Sequence, residues 1–290
     1  MFATKWILIP FMMLLSRLPF FVLYGISNFL YFLGYRILGY RKKVVRENLA
    51  LCFPGKSQEE LLSIEKKFYH HLFDVIVETI KGFTISQREL NKRYVLKKNP
   101  DLDRLYSENR KILGVMTHKG NWEWAILSGP TVLKVKTFGV YKKLSNGAME
   151  NFIKAKRSRF GSIPIPMEKI YFTLREEKEL PFVSAFLSDQ NPASPKNAHW
   201  TQFLGRDTAF MPGYAIIAKK MEMAVISTKV EKIKRGYYEV STVLVAENAA
   251  EMRKEEIMDR TCKIMEEDIL AQPEYWLWSH RRWKHKKPVA

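Results

Sequence analysis

The chain has 290 residues, of which 47% are hydrophobic, and its 48 Lys and Arg against 30 Asp and Glu give a formal net charge of +18. This hydrophobic content excludes an intrinsically disordered chain and is sufficient for one large folded domain. The positive charge favours an anionic partner surface, such as phospholipid headgroups, nucleic acid or an acidic protein. Zinc-finger, RNA-recognition and basic-zipper signatures are absent from the sequence, so we expect no nucleic-acid partner.

The two cysteines, Cys52 and Cys262, have no C-x-x-C spacing and no neighbouring second pair of ligands. This pattern predicts free, reduced, structural thiols and no metal site. Reduced thiols are typical of a domain that faces the cytosol.

The segment from Trp6 to Leu38 is rich in Ile, Leu, Phe, Met and Tyr, and its cleanest uncharged run extends from Leu18 to Tyr35. A run of about 18 residues is at the short end of what spans a bilayer. The segment lacks the small-residue cleavage site of a signal peptide. We therefore predict a membrane anchor over residues 1–40, either a single span or a helix pair lying in the interface.

The cations around this apolar run are unevenly distributed. Two precede it, Lys5 and Arg17, and five follow it: Arg36, Arg41, Lys42, Lys43 and Arg46. By the positive-inside rule, the domain formed by residues 41–290 is expected on the cytoplasmic side. A hydrophobic anchor beside clustered cations favours a membrane surface over nucleic acid as the partner.

Ser57-Gln58-Glu59-Glu60 has the spacing of a capping box. It predicts the start of an amphipathic helix that continues to about Ile80. His70 and His71 lie on this helix, and we interpret them as packing residues because they do not form a standard zinc-binding pattern.

The stretch from Lys111 to Met116 predicts a short buried strand, and Trp122 begins the helix after it. Gly120 allows a sharp turn between them, which places His118 and Glu123 at one strand-to-helix junction. A carboxylate there can fix one ring nitrogen of the histidine while the other nitrogen takes a proton. A loop histidine beside a first-turn glutamate favoured by the helix dipole explains the same residues.

Downstream, the pattern predicts strands at 135–141 and 180–187, a basic helix at 146–160, a hairpin of strands at 224–230 and 237–245, and a long helix at 249–271. Pro164-Ile165-Pro166 is expected to lead into another short helix. The strand predicted at 180–187 places Asp189 at its carboxyl end. In open α/β folds ligands bind at that edge of the sheet, and the same edge holds His118. The alternation of strands and helices predicts an α/β fold with a mixed, mostly parallel sheet flanked by helices.

His118-Lys119-Gly120-Asn121-Trp122-Glu123 resembles the His-x-x-x-x-Glu signature of the lysophospholipid-acyltransferase-type superfamily, in the version found in bacterial lipid A late acyltransferases. Further segments resemble that family in the same order, so the resemblance covers nearly the whole chain. They are Arg157 to Gly161, as Arg-x-Arg-x-Gly, the Asp189-Gln190 pair, Phe203 to Gly213, and Pro273 to Lys284. The resemblance implies a glycerolipid acyltransferase-like fold, with residues 41–290 as the acyltransferase domain.

The resemblance also implies roles for individual residues. His118 is expected to act as the general base and Glu123 to orient it, while Arg157 or Arg159 stabilises an oxyanion or holds an anionic headgroup. The remaining candidates, expected to bind substrate, are Asp189, Gln190 and Arg206. Purely structural roles also fit several of these residues, because cations suit a helix C-terminus and an aspartate suits a turn after a strand.

The function implied by this resemblance is acyl transfer from an acyl carrier protein thioester to a hydroxyl of a lipid A precursor at the bacterial inner membrane. Both partners are acidic, which suits the positive net charge. No Ser or Cys occupies a nucleophile elbow, so neither a covalent acyl-enzyme nor a cofactor is expected. The sequence leaves open an aminolipid, a phosphoinositide mannoside or a lysophospholipid as acceptor. It also leaves open a membrane-tethered basic binding protein and a zinc hydrolase.

Overall fold

The computed structural model describes residues 4–288. Its strands lie between the helices along most of the chain. They are β1 (Tyr94–Leu96), β2 (Lys111–Met116), β3 (Lys136–Tyr141), β4 (Ile163–Pro166), β5 (Phe182–Leu187), β6 (His199–Phe203), β7 (Arg206–Phe210), β8 (Ala224–Lys234) and β9 (Tyr237–Ala246).

The α-helices are α1 (Ile9–Arg17), α2 (Phe20–Tyr31), α3 (Lys42–Cys52), α4 (Gln58–Gly82), α5 (Gln87–Arg93), α6 (Pro100–Ser107), α7 (Trp122–Leu133), α8 (Gly147–Arg157), α9 (Ile170–Glu176), α10 (Gly213–Lys220) and α11 (Lys254–Ala271). Short π-helical turns precede α1 and follow α2, at Thr4–Leu8 and Phe32–Ile37. Single 3₁₀ turns lie at Met167–Lys169, Ala249–Glu251 and Pro273–Tyr275.

Seven strands form one sheet in the order β1-β9-β8-β2-β5-β3-β4. Neighbouring strands are parallel except β8 and β9, which pair antiparallel. This confirms the predicted α/β fold with a mixed, mostly parallel sheet. Because β2 and β5 are parallel neighbours, the residues that follow them, including His118 and Asp189, emerge at the same edge of the sheet.

The predicted capping box is present at the start of α4. The Ser57 hydroxyl accepts from the Glu60 backbone N–H, and the Glu60 carboxylate accepts from the Ser57 backbone N–H. The predicted hairpin is confirmed as β8 and β9, with Gly236 at a left-handed φ of 72° in the turn. Both features follow from local spacing, since each depends on residues close together in the chain.

Two segments differ from the expectation. Pro164-Ile165-Pro166 belongs to β4 rather than to a lead-in to a helix, and it pairs parallel with β3. This strand is the last in the sheet, where a proline that lacks an N–H group is tolerated. Residues 199–210, where no strand was predicted, contain the antiparallel pair β6 and β7.

Most of the uncharged N-terminal run lies in a continuous helical segment, Phe20–Ile37, which has a mean hydropathy of 1.2. By length and composition it is a candidate for membrane anchoring. It packs against α4, where Gly34 lies against the Phe73 ring and Leu23 is buried.

Candidate active site

The loop between β2 and α7 is held in a single tight conformation around Gly120. This residue has a left-handed φ of 65°, and its N–H donates to the Tyr275 carbonyl over 3.0 Å. A Cβ atom at this position would lie 2.6 Å from Val230 Cγ1, so a larger residue does not fit. Asn121 ends the loop by accepting from the Trp124 N–H over 2.9 Å, which caps α7.

The same loop is anchored to α11 through a buried ion pair. Lys119 is 1% exposed, and its Nζ lies 2.7 Å from Oδ1 of Asp268. Burial lowers the pKa of Lys119, although the Asp268 carboxylate opposes that shift. Sequence reasoning missed this pair, because neither the motif nor the spacing indicates that a lysine beside the histidine is buried.

His118 makes its closest polar contacts with Asp189, which follows β5. Nδ1 of the imidazole lies 2.6 Å from Oδ1 of the carboxylate, and the His118 backbone N–H donates to Oδ2 over 2.8 Å. The Trp276 indole N–H also donates to Oδ2, over 2.7 Å. Asp189 is 2% exposed, so this carboxylate is fixed from three directions within the protein.

The electrostatics of the pair favour an imidazolium beside a carboxylate. Burial by itself lowers the pKa of His118, but the charge and hydrogen bond of Asp189 outweigh burial, and the pKa is raised above its usual value. Burial by itself raises the pKa of Asp189, but His118 and the Trp276 N–H hold it at about 2. Asp189 is therefore ionised at neutral pH and stabilises a proton on His118.

The second nitrogen of the imidazole lies at the protein surface. Nε2 of His118 is 3.3 Å from the side-chain nitrogen of Gln190, and Gln190 is exposed. The His118 side chain is 14% exposed. A hydroxyl that replaced the Gln190 amide would reach the ring nitrogen that Asp189 leaves available.

Glu123, predicted to orient the imidazole, makes its polar contacts with Arg157 instead. Glu123, in the first turn of α7, forms a bidentate pair with Arg157, at 2.6 Å from Oε1 to Nη2 and 3.0 Å from Oε2 to Nε. Its negative charge contributes to the raised pKa of His118, after Asp189. Asp189, expected to bind substrate, is the carboxylate that contacts one ring nitrogen of the histidine, Nδ1.

The other two arginine candidates have partners of their own. Arg159 donates to the carbonyls of Gly82 and Ile85, over 2.7 and 3.0 Å, and so ties the end of α8 to the turn after α4. Arg206 lies over the Trp283 ring at 5.3 Å. Of these three arginines, Arg157 is the one that pairs with a residue of the segment His118–Glu123, namely Glu123.

A family model for bacterial lipid A biosynthesis acyltransferases matches residues 1–285. The chain is 26% identical over 270 residues to a lipid A biosynthesis palmitoleoyltransferase of Escherichia coli K12, which covers 89% of this chain and 86% of that protein. It has the same identity and coverage with a lipid A biosynthesis acyltransferase of Shigella flexneri. This chain belongs to the bacterial lipid A biosynthesis acyltransferase family.

In this family member, the segment after α11 completes the site. Besides Trp276, it contributes His280, whose Nε2 accepts from the Asn191 backbone N–H over 3.2 Å, next to Gln190. Burial lowers the pKa of His280 to about 4, so this imidazole is neutral and able to accept at neutral pH. The sequence indicated the aromatic and basic character of this segment, but not its contacts with the catalytic edge.

An apolar cavity lies between the sheet and α7 of the acyltransferase. It encloses about 610 Å³ of empty space, its opening included. Gly114 and Met116 line it from one side of β2, because alternate residues of a strand share a face. At its walls Gly129 and Gly139 allow close packing of α7 against β3, because a Cβ atom there would lie 2.9 Å from Thr137 Cγ2 and 3.1 Å from Ile126 Cγ2.

Within residues 4–288, no group of three His, Cys, Asp or Glu side chains is arranged to hold a metal ion. The polar groups at the sheet edge that holds His118 are a histidine, its buried carboxylate and a carboxylate-arginine pair. This set can remove and return a proton and can meet a developing negative charge.

Proposed function

We propose that this acyltransferase moves a fatty acyl chain from an acyl carrier protein thioester to a hydroxyl of a lipid A precursor. The contact between His118 Nδ1 and Asp189 carries the proposal, because it leaves Nε2 as the proton acceptor at the surface. Membership of the family supports acyl transfer in lipid A biosynthesis. The net charge of +18 suits an acidic carrier protein and a phosphorylated acceptor.

In the proposed reaction, His118 Nε2 takes the proton of the acceptor hydroxyl as the oxygen attacks the thioester carbonyl. The new C–O bond gives a tetrahedral intermediate, and the C–S bond then breaks. The proton held on the imidazolium passes to the departing thiolate, which restores the neutral base. Asp189 stabilises the imidazolium during this cycle, the part that a buried carboxylate plays in hydrolase triads.

In this reaction, Arg157 meets negative charge and Glu123 positions Arg157. The bidentate pair occupies two of the five guanidinium N–H groups, so three remain for an oxyanion or a phosphate. Exposed cations surround this arginine on α8 and on the loop before it, namely Lys142, Lys143 and Lys154. Such a surface favours both an anionic headgroup and an acidic carrier protein.

The acyl chain of the donor is proposed to lie in the cavity beneath α7. Its lining is almost entirely apolar, as the lining of a site for an acyl chain should be. Its wall includes Met116, the last residue of β2 and two positions before His118, so a chain inside it can end near the reacting carbonyl. Chain-length preference then depends on the residues that limit the cavity.

Gly114→Ala is expected to shift the preference of the enzyme toward shorter acyl chains. The added Cβ would lie 3.8 Å from Ile226 Cγ1 and Val183 Cγ1, an ordinary packing distance, so it fills space without strain. Because one methylene in an apolar site changes selectivity about 10-fold or more, the ratio of rates with long and short donors should fall several-fold. Competition between carrier-protein thioesters of different lengths measures this ratio.

Gly55→Ala is the matched control, because its added Cβ meets no atom within 4 Å and Gly55 does not line the cavity. It should leave the chain-length ratio unchanged. An unaltered ratio in a folded Gly114→Ala variant would show that the acyl chain lies elsewhere.

The proposed function is tested directly with the purified full-length chain, carrier-protein thioesters and a lipid A precursor. We expect mass spectrometry to show one added acyl chain on the precursor and release of the free carrier-protein thiol. Cells that lack the protein should lose the corresponding acyl chain from lipid A. Transfer to an aminolipid or lysophospholipid, with no change in lipid A, would assign a different acceptor.

A further inference from the structure

The N-terminal helices α1 and α2 lie along α4 of the folded domain. Buried residues recur on one face of α2 and its π-helical continuation, at Leu23, Ser27, Tyr31 and Tyr35. This three-to-four-residue spacing is that of a helix packed along its length. The end of α1 is fixed as well, because Lys81 Nζ of α4 donates to the Leu18 carbonyl over 2.8 Å.

The contacts between α2 and α4 include three buried carboxylates of α4. The Ser27 hydroxyl donates to Asp74 over 2.7 Å, and the Tyr24 hydroxyl donates to Glu78 over 3.0 Å. Further along, the Tyr35 hydroxyl donates to Glu65 over 2.9 Å. These bonds are distributed over most of the segment Phe20–Ile37, so the helix is attached to the domain from one end to the other.

The β8–β9 hairpin also holds α2. The Arg235 side chain donates to the Asp74 carboxylate over 3.0 Å and to the Asn28 side-chain oxygen over 2.9 Å. A helix joined in this way cannot cross a bilayer by itself. It would take the charged helix α4 into the hydrocarbon, where ionised side chains are strongly disfavoured.

The opposite face of these helices is exposed and apolar. Phe21 is 77% exposed and Phe29 is 63% exposed. Large apolar side chains continue the exposed face on both helical segments and just beyond them, at Ile7, Phe11, Leu14, Phe32, Ile37 and Leu38. A contiguous exposed surface of this kind marks an interaction site.

The charge around this face identifies its partner. The first 46 residues contain seven Lys and Arg and no Asp or Glu. Apolar side chains flanked by cations alone match the surface of an anionic phospholipid leaflet, with acyl chains below and phosphates at the level of the cations. Binding to an apolar protein surface would not explain why Asp and Glu are absent from the first 46 residues.

We propose that residues 4–38 form a monotopic anchor: they lie in one leaflet of an anionic bilayer, with α4 and the rest of the domain on the same side, and do not span it. The length agrees, because 18 helical residues extend about 27 Å, less than the roughly 30 Å of hydrocarbon. This inference rests on the proposed function and adds a membrane location to it. The sheet edge that holds His118 would belong to a domain that lies against the leaflet containing the acceptor lipid.

Topology distinguishes this arrangement from a spanning helix. Arg17 and Lys43 are exposed and lie before and after the apolar segment. We expect Arg17→Cys and Lys43→Cys, expressed separately as full-length chains, to resist a membrane-impermeant maleimide in intact spheroplasts and to react after lysis. The parent chain, with its two native cysteines, gives the background. Reaction of Arg17→Cys alone in intact spheroplasts would overturn the proposal.

Reaction of both variants in intact spheroplasts would support a monotopic anchor but place the domain outside the cytoplasm. That result would overturn the cytoplasmic orientation expected from the sequence, and not the anchor. Loss of acyl transfer in the purified enzyme is measured separately, so the two proposals fail in different experiments.

Vesicle binding tests the apolar face itself. The double variant Phe21→Glu/Phe29→Glu should partition at least tenfold less onto vesicles of phosphatidylethanolamine and phosphatidylglycerol. Both residues are exposed, so thermal unfolding should be unchanged. Leu270→Glu is the matched control, because Leu270 is 48% exposed on α11, beside Glu266 and Glu267, and should bind as the parent does. Unchanged partition of the double variant would contradict the proposal.

Discussion

His118→Ala is expected to lower the rate of acyl transfer by about 10²- to 10⁴-fold, the usual contribution of a general base. Nδ1 of the ring contacts Asp189, and Nε2 at the surface is the proposed proton acceptor. Removing the ring therefore leaves the acceptor hydroxyl without a group to take its proton. The His118 side chain is small and partly exposed, so the variant should fold. Single-turnover transfer from a carrier-protein thioester measures the loss, with circular dichroism and thermal unfolding as checks on the fold.

His199→Ala is the matched control for this variant. His199 on β6 also pairs with a carboxylate, Asp259 on α11, at 2.7 Å, but in a different part of the molecule. We expect it to retain nearly parental activity. Full activity of His118→Ala would end the general-base proposal, and an equal loss in both variants would indicate a nonspecific effect of removing a histidine.

Asp189→Asn is expected to reduce turnover about as strongly, although the side chain keeps its shape. Oδ2 accepts from the His118 and Trp276 N–H groups, so the amide oxygen should take that place and the NH₂ group should face Nδ1. The imidazole would then accept at Nδ1 and carry its proton on Nε2. A proton on Nε2 prevents it from removing another from the acceptor, so kcat should fall by roughly 10²- to 10⁴-fold.

The pH profile tests this role separately from the rate. Asp189 raises the pKa of His118, so the parent enzyme loses its base as the pH falls through a value above 6.5. Without the Asp189 charge that pKa falls, and the acidic limb of kcat/KM should move to lower pH in Asp189→Asn. A merely structural role for Asp189 would reduce activity without moving the limb.

Glu123→Gln provides the contrast between the two carboxylates. It breaks a charged pair with Arg157 and removes a smaller contribution to the pKa of His118. Its main effect should therefore be a higher KM, with a smaller shift of the acidic limb than in Asp189→Asn. A larger shift in Glu123→Gln would restore Glu123 as the partner of the imidazole.

The sequence by itself determined the features that depend on nearby residues. The capping box of α4, the strand before His118, and the hairpin of β8 and β9 all follow from spacing and local hydrogen bonding. Parallel strand order was implied by the alternation of strands and helices, which brought Asp189 to the edge that holds His118. The family resemblance identified the chemistry.

Only the tertiary structure decided which carboxylate meets the imidazole. Glu123 is five positions from His118 but turns toward Arg157 at the end of α8, whereas Asp189 is 71 positions away and reaches Nδ1. The hydrogen bond from Trp276 to Asp189 and the Lys119–Asp268 ion pair also join residues far apart in the chain, and only the tertiary structure shows them. Spacing along the chain predicts the helix or strand to which a residue belongs. It does not predict which side chains of neighbouring helices and strands will meet that residue in the fold.

The N-terminal segment shows the same division. Its sequence specified an apolar helix flanked by cations, a composition that suits both a span and an interfacial helix. The contacts of Ser27, Tyr24 and Tyr35 with α4 favour the proposed interfacial helix, because they attach one side of the helix to the domain. Mean hydropathy averages over all residues of a helix and does not distinguish its faces. The face that is free to contact lipid is the one that does not pack against the domain.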